Sequence, residues 1–160
     1  MSFAQREMIE DAQMNRYLTF TVADEGYGID IRSVTEIIGI QTVSTLPEVP
    51  KFVKGVINLR GRIIPVVDMR LRFGQNEDAY TDRTCIVVVE TKRLTAGLIV
   101  DQVSEVIVID KESIVPPPDL QLPDSRRYIS GIGKVGAEVK LLIDCDRLFD
   151  DNETKNFERT

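Results

Sequence analysis

Short apolar runs, broken by glycine, proline and charged corners, recur along this chain from Tyr17 to Phe149. Residues 17–22 alternate apolar and polar, Asp24-Glu25-Gly26 makes a turn, and residues 27–31 pair back. Residues 34–40 supply a third strand. A loop with Pro47 and Pro50 then leads to two apolar runs, 56–59 and 63–67, around Arg60-Gly61. A polar linker, 75–83, precedes a second series: strands at 85–90, 94–100 and 105–109, with a turn at Thr91-Lys92-Arg93. A proline-rich loop, 116–123, leads into a second hairpin within 131–149. Strands this short and closely spaced, without sustained helical periodicity, predict paired small β-barrels with short helices.

The central stretch, residues 55–73, carries the clearest local signals. Gly61 suits the second corner position of a tight hairpin, where positive φ is required. Pro65 cannot donate to a ladder, so it predicts a barrel edge or a bulge. Asp68 stands where an N-cap belongs, ahead of a short helical segment, 69–73.

That stretch has an echo. Seventy-six residues separate Gly55 from Gly131, Asp68 from Asp144 and Phe73 from Phe149, and Phe52 from Tyr128 upstream. A second echo, at 69 residues, relates Gly28 to Gly97, Val34 to Val103 and Glu36 to Glu105. The chain therefore reads as a diverged duplication, with a first repeat at about 17–75 and a second at about 83–149. Each half is too small for a generous core, so the halves are expected to lean on each other. Residues 1–16 read as a leader with some helical character, and 150–160 as a charged, mobile tail.

Composition narrows the function. A net charge of −6 with 6% aromatic residues and no tryptophan disfavours nucleic acid and anionic membrane surfaces. No apolar run is long enough to span a bilayer and the start lacks a secretion signal, which predicts a cytosolic protein. The two cysteines, Cys85 and Cys145, lie in apolar surroundings and read as small core residues.

Catalysis is disfavoured by residue types the chain lacks. There is no histidine, hence no Ser-His or Cys-His pair and no imidazole metal ligand. Gly131, Gly133 and Gly136 spell a G-x-G-x-x-G, but they precede a strand-like run, whereas a dinucleotide site needs a helix there. The acidic run Asp144, Asp146, Asp150, Asp151 lacks the glycine and closing glutamate of a calcium loop and reads as helix capping and tail solvation. Arg60, Arg62, Arg70 and Arg72 form a basic cluster. The last three read as a solvated face, while Arg60, at a hairpin tip, can present its planar donor fork to a partner.

The strings YLTFTVADEGYGIDIRSVTEI, GVINLRGRIIPVVDMRLRF and GLIVDQVSEVI resemble the CheW family of bacterial chemotaxis coupling proteins, over roughly residues 15–149. The resemblance implies an all-β fold of two intertwined SH3-like five-stranded β-barrels, with C-terminal strands completing the first. It implies no enzymatic activity and no cofactor. It further implies a scaffold in the cytoplasm, recruited to membrane-associated arrays without inserting into the membrane. The partners implied are the histidine kinase CheA, through its regulatory domain, and the cytoplasmic tip of a methyl-accepting chemoreceptor. Carried over by motif, the kinase-facing surface would hold Leu18, Ile31 and Val34, with Gly55 allowing close approach. The receptor-facing groove between barrels would include Glu36, Arg60 and Val106. The rival from another class is a single-stranded nucleic-acid-binding small barrel, which the acidic balance and sparse aromatics count against.

Overall fold

In a computed structural model, residues 2–5, 13–117 and 128–149 are described. The order is β1 (Arg16–Val22), β2 (Glu25–Asp30), β3 (Val34–Gly39), β4 (Val53–Leu59), β5 (Arg62–Asp68) and α1 (Met69–Arg72). There follow β6 (Cys85–Glu90), β7 (Thr95–Val100), β8 (Gln102–Val108), β9 (Ile114–Val115), β10 (Ile129–Val135), β11 (Glu138–Ile143) and α2 (Cys145–Leu148). Within the expected leader, residues 3–5 are helical; the expected tail lies outside the described residues.

The strands form two sheets, ordered β8-β1-β2-β11-β10-β9 and β3-β6-β7-β5-β4. The 69- and 76-residue echoes equate β1 with β6, β2 with β7, β3 with β8, β4 with β10 and β5 with β11. Under that correspondence the five-strand orders of the two sheets are identical. Yet neither sheet is one repeat. The second sheet takes β3, β4 and β5 from the first repeat and β6 and β7 from the second, and the first sheet takes the complement. The halves are therefore intertwined, joined where β11 runs parallel to β2 and β5 parallel to β7.

β9 adds a short sixth strand to the first sheet, pairing Val115 with Ile132. Its counterpart in the second sheet is a single bridge, Ser44 to Val56, at the equivalent place.

β6, CIVVVE, shows why its run is continuously apolar. Val87 and Val89 face a large cluster shared by both sheets, and Ile86 and Val88 face a smaller cluster within the second sheet. A strand buried on both faces has no polar side to alternate with. The shared cluster joins Phe20 and Ile29 of the first sheet to Val87 and Leu98 of the second, with Cys145 inside it and Cys85 packed against it. Burial pushes the Cys145 thiol up to about 12.

Several expectations are refined. Ile31 leaves the strand expected through it: the Asp30 side chain accepts from the Arg32 amide (2.9 Å) and turns residues Ile31–Ser33 into one 3-10 turn. Pro65 lies inside the second sheet. It faces Val56, whose N–H and C=O both bond Ser44 (2.9 Å each), so this pair needs no proline donor. On the other side the parallel ladder to β7 begins only at Val66. The expected irregularity sits one strand over, as a register shift between Val53 and Gly55. Asp68 caps α1 as expected, accepting from the amides of Arg70 (2.9 Å) and Leu71 (3.4 Å).

The solvated face expected of three arginines is corrected at two of them. Arg72 is only 7% exposed, stacked between Phe52 and Tyr128 (4.6 and 5.1 Å to the ring centroids). Arg70 is pulled down onto Asp101 through two hydrogen bonds (3.0 and 2.7 Å). Arg62 stays exposed and donates to Thr95 (3.0 Å).

Candidate functional site

The hairpin between β4 and β5 turns on Arg60 and Gly61, with φ of 51° and 89°. Two consecutive left-handed residues make the tight turn whose twist matches the flanking strands. Asn58 steadies it by accepting from the Gly61 amide (2.8 Å). Held this way, the Arg60 side chain stands 70% exposed.

Its Nη2 donates to Oε2 of Glu36 on β3 at 2.5 Å. Glu36 owes its position to a register shift between Val34 and Glu36 that leaves Thr35 as the extra residue, its hydroxyl donating to the Val88 carbonyl (3.1 Å). The other Glu36 oxygen, Oε1, is buried and meets no donor among the described residues. This half-satisfied carboxylate under an exposed guanidinium is the chemically distinctive pair of the surface.

The remaining expected residues are scattered around it. Val106 lies on β8, at the edge of the other sheet, and is 47% exposed. It pairs in register with Leu18, which is only 3% exposed and packs in the shared cluster. Ile31, which opens the 3-10 turn, and Val34, which follows it, are half-buried and both packed against that cluster. Burial works to raise the Asp30 carboxyl beneath the turn; hydrogen bonds from Arg32 overcome it and leave its pKa below the ordinary value. The close approach that Gly55 permits is internal: at φ 148° a Cβ there would sit 2.0 Å from the Ser44 carbonyl oxygen. The structure thus joins Glu36 to Arg60 and Leu18 to Val106.

Residue-by-residue reading named Val106 but missed other exposed apolar positions. Ile37 and Ile63 of the second sheet are exposed, and so are their repeat counterparts Val106 and Val139 of the first. Only the 69- and 76-residue offsets, applied to exposure, signal them. The G-x-G-x-x-G string runs along β10 into the turn at Gly136, with no helix at its end. Among the described residues no group of three His, Cys, Asp or Glu is placed to hold a metal, and no helix is long and apolar enough to cross a membrane.

A comparison with known families matches residues 16–153 to the CheW-like domain. The chain belongs to the CheW family. The chemotaxis protein CheW of Klebsiella aerogenes is 36% identical over 137 residues, covering 86% of this chain and 82% of that one. A probable chemotaxis protein CheW of Rhizobium etli is 30% identical over 155 residues, covering 97% of this chain and 99% of its own. Among solved structures, the scaffolding protein TtCheW of Thermoanaerobacter tengcongensis superposes with a TM-score of 0.80 at 40% identity, over 87% of this chain and 94% of that one. The two sheets are accordingly the two SH3-like β-barrels of a CheW-family chemotaxis scaffold, intertwined as the strand orders require.

Proposed function

We propose that this protein is a non-enzymatic adaptor that ties the cytoplasmic tip of a chemoreceptor to the histidine kinase CheA. It works in the cytoplasm, at membrane-associated arrays. The observation that carries the reading is the Arg60–Glu36 pair: an exposed, charged recognition group on a chain whose family is one of chemotaxis scaffolds. A guanidinium with spare donors can take a partner carboxylate or side-chain amide while Glu36 holds it in place from below.

The receptor side comprises Glu36, Arg60 and Val106, so that the receptor tip bridges the two barrels. The kinase side is the apolar patch of Ile31 and Val34, with Leu18 in the cluster on which both pack, and Gly55 on β4 as its further member. Its half-buried side chains suit an apolar contact whose edges stay wet.

The experiment is a capture assay, asking whether the tagged protein retains the kinase regulatory domain and a receptor-tip fragment at once. Titrations with two variants assign the surfaces. Arg60→Glu is expected to weaken receptor-tip binding about tenfold, equivalent to ~1.4 kcal/mol, with a much smaller effect on the kinase. Val34→Asp is expected to weaken the kinase contact, with circular dichroism checking that the fold survives. Equal losses for both partners in Arg60→Glu would assign that residue to the shared scaffold.

A further inference from the structure

The helix that follows each hairpin is gripped by the opposite sheet. α2 ends the first sheet's hairpin, yet its Leu148 carbonyl accepts two hydrogen bonds from Arg72 of α1, at 3.2 Å from Nε and 2.9 Å from Nη2. The turn between β6 and β7 adds two more ties: the Lys92 amide donates to Asp146 Oδ1 (2.8 Å) and Arg93 Nη1 to the Phe149 carbonyl (3.5 Å). A four-residue helix leaves its last carbonyls without partners, and Arg72 and Arg93 supply donors to the Leu148 and Phe149 carbonyls from outside. In the reverse direction, the Tyr128 hydroxyl ahead of β10 donates to the Arg72 carbonyl (3.2 Å).

The groups at this crossing are repeat counterparts. Seventy-six residues separate Arg72 from Leu148 and Phe52 from Tyr128, so the guanidinium lies between two equivalent aromatic rings and bonds its own equivalent residue. The crossing therefore sits on the axis that relates the two barrels. Stability alone does not call for an arginine there. Its desolvation offsets much of what its bonds contribute, and apolar residues of similar volume commonly replace such buried charged groups without loss. What the planar fork adds over a methionine is direction: it bonds the Leu148 carbonyl through two nitrogens while two rings hold its plane.

We infer that Arg72 is a positioning residue for receptor binding, bracing α2 against the second sheet and so setting the spacing between the Arg60–Glu36 pair and Val106. The inference rests on the proposal that the receptor tip bridges the two barrels. Ile31 and Val34 stand at the two ends of one 3-10 turn, so the spacing of the kinase patch is set locally and not by the inter-barrel angle.

The test titrates Arg72→Met and Arg72→Lys, as full-length chains, against the receptor-tip fragment and the kinase regulatory domain, with Arg60→Glu alongside. Arg72→Met is expected to weaken the receptor contact about three- to tenfold and to leave the kinase contact within about twofold. Amide residual dipolar couplings are expected to show the β10–β11 hairpin rotated relative to the β4–β5 hairpin. Arg72→Lys keeps the charge and a donor, so it folds should the methionine variant not, and it shows the same split at smaller amplitude. Unchanged receptor affinity in the Arg72 variants, with Arg60→Glu still impaired, overturns the brace and leaves the receptor proposal standing. No effect in Arg60→Glu either overturns the receptor proposal and the brace with it. Equal loss for both partners makes Arg72 a folding residue and overturns the brace.

Discussion

Arg60 and Gly136 occupy the same corner of equivalent hairpins, and both are left-handed, with φ of 51° and 62°. The arginine adopts there a conformation that its Cβ disfavours by about 1–2 kcal/mol, whereas glycine reaches it freely. Arg60→Gly is therefore expected to leave the melting temperature unchanged or raise it, the gain tempered by the added freedom of the unfolded chain. The exposed ion pair to Glu36 that is lost is screened by solvent and contributes little to stability. Thermal unfolding followed by circular dichroism checks this, and a drop of several degrees would show that the Arg60–Glu36 contact holds the hairpin down.

A fragment of residues 1–75 is expected to be largely unfolded. It contains β1 and β2 without β8 and β11, and β3 without β6, so every one of those strands loses a neighbour. The faces buried in the shared cluster would be bare as well. A cooperative melt from this fragment would contradict the intertwined arrangement.

The two thiols are expected to resist alkylation to different degrees. Cys145 is buried with its pKa at about 12, so at pH 8 its thiolate is scarce as well as inaccessible. Cys85 is half-buried, and burial raises its pKa too. Mass spectrometry after a timed iodoacetamide pulse should find label on Cys85 first, and on Cys145 only after denaturant is added. Labelling of Cys145 in the native protein would mean that the shared core opens locally.

The Asp68 carboxyl carries a pH signature. Burial pushes its pKa above the ordinary 3.8, against the amides of Leu71 and Arg70 and the nearby Lys54, which favour its charged form. Below both the folded and the unfolded pKa the group is neutral in each state and makes no difference. As pH rises through the folded value, the folded chain must release a proton it holds more tightly than the unfolded chain does, and the contribution turns against folding. Asp68→Asn keeps an oxygen for the cap and does not titrate. Denaturant midpoints from pH 4 to 7 should move in the variant's favour as pH rises; the opposite slope would mean that the cap amides outweigh burial.

The sequence alone determined what is local. Gly61 required a turn and Asp68 a cap, because each signal lies within a few residues of what it dictates. It also determined the duplication, since equal offsets survive wherever the strands end up. What it left open depends on partners distant in the chain. The offsets could not say that β3 joins β6 and leaves β4 and β5 to reach β7, because pairing across tens of residues is decided by the faces that become buried. The same holds for the arginines. Arg62, Arg70 and Arg72 read alike along the chain, and their fates differ only through Thr95, Asp101 and Leu148, which the fold delivers from 33, 31 and 76 residues away. A charged side chain does not announce in its own neighbourhood whether water, a carboxylate or a carbonyl will receive it; packing of the two barrels against each other supplies that answer.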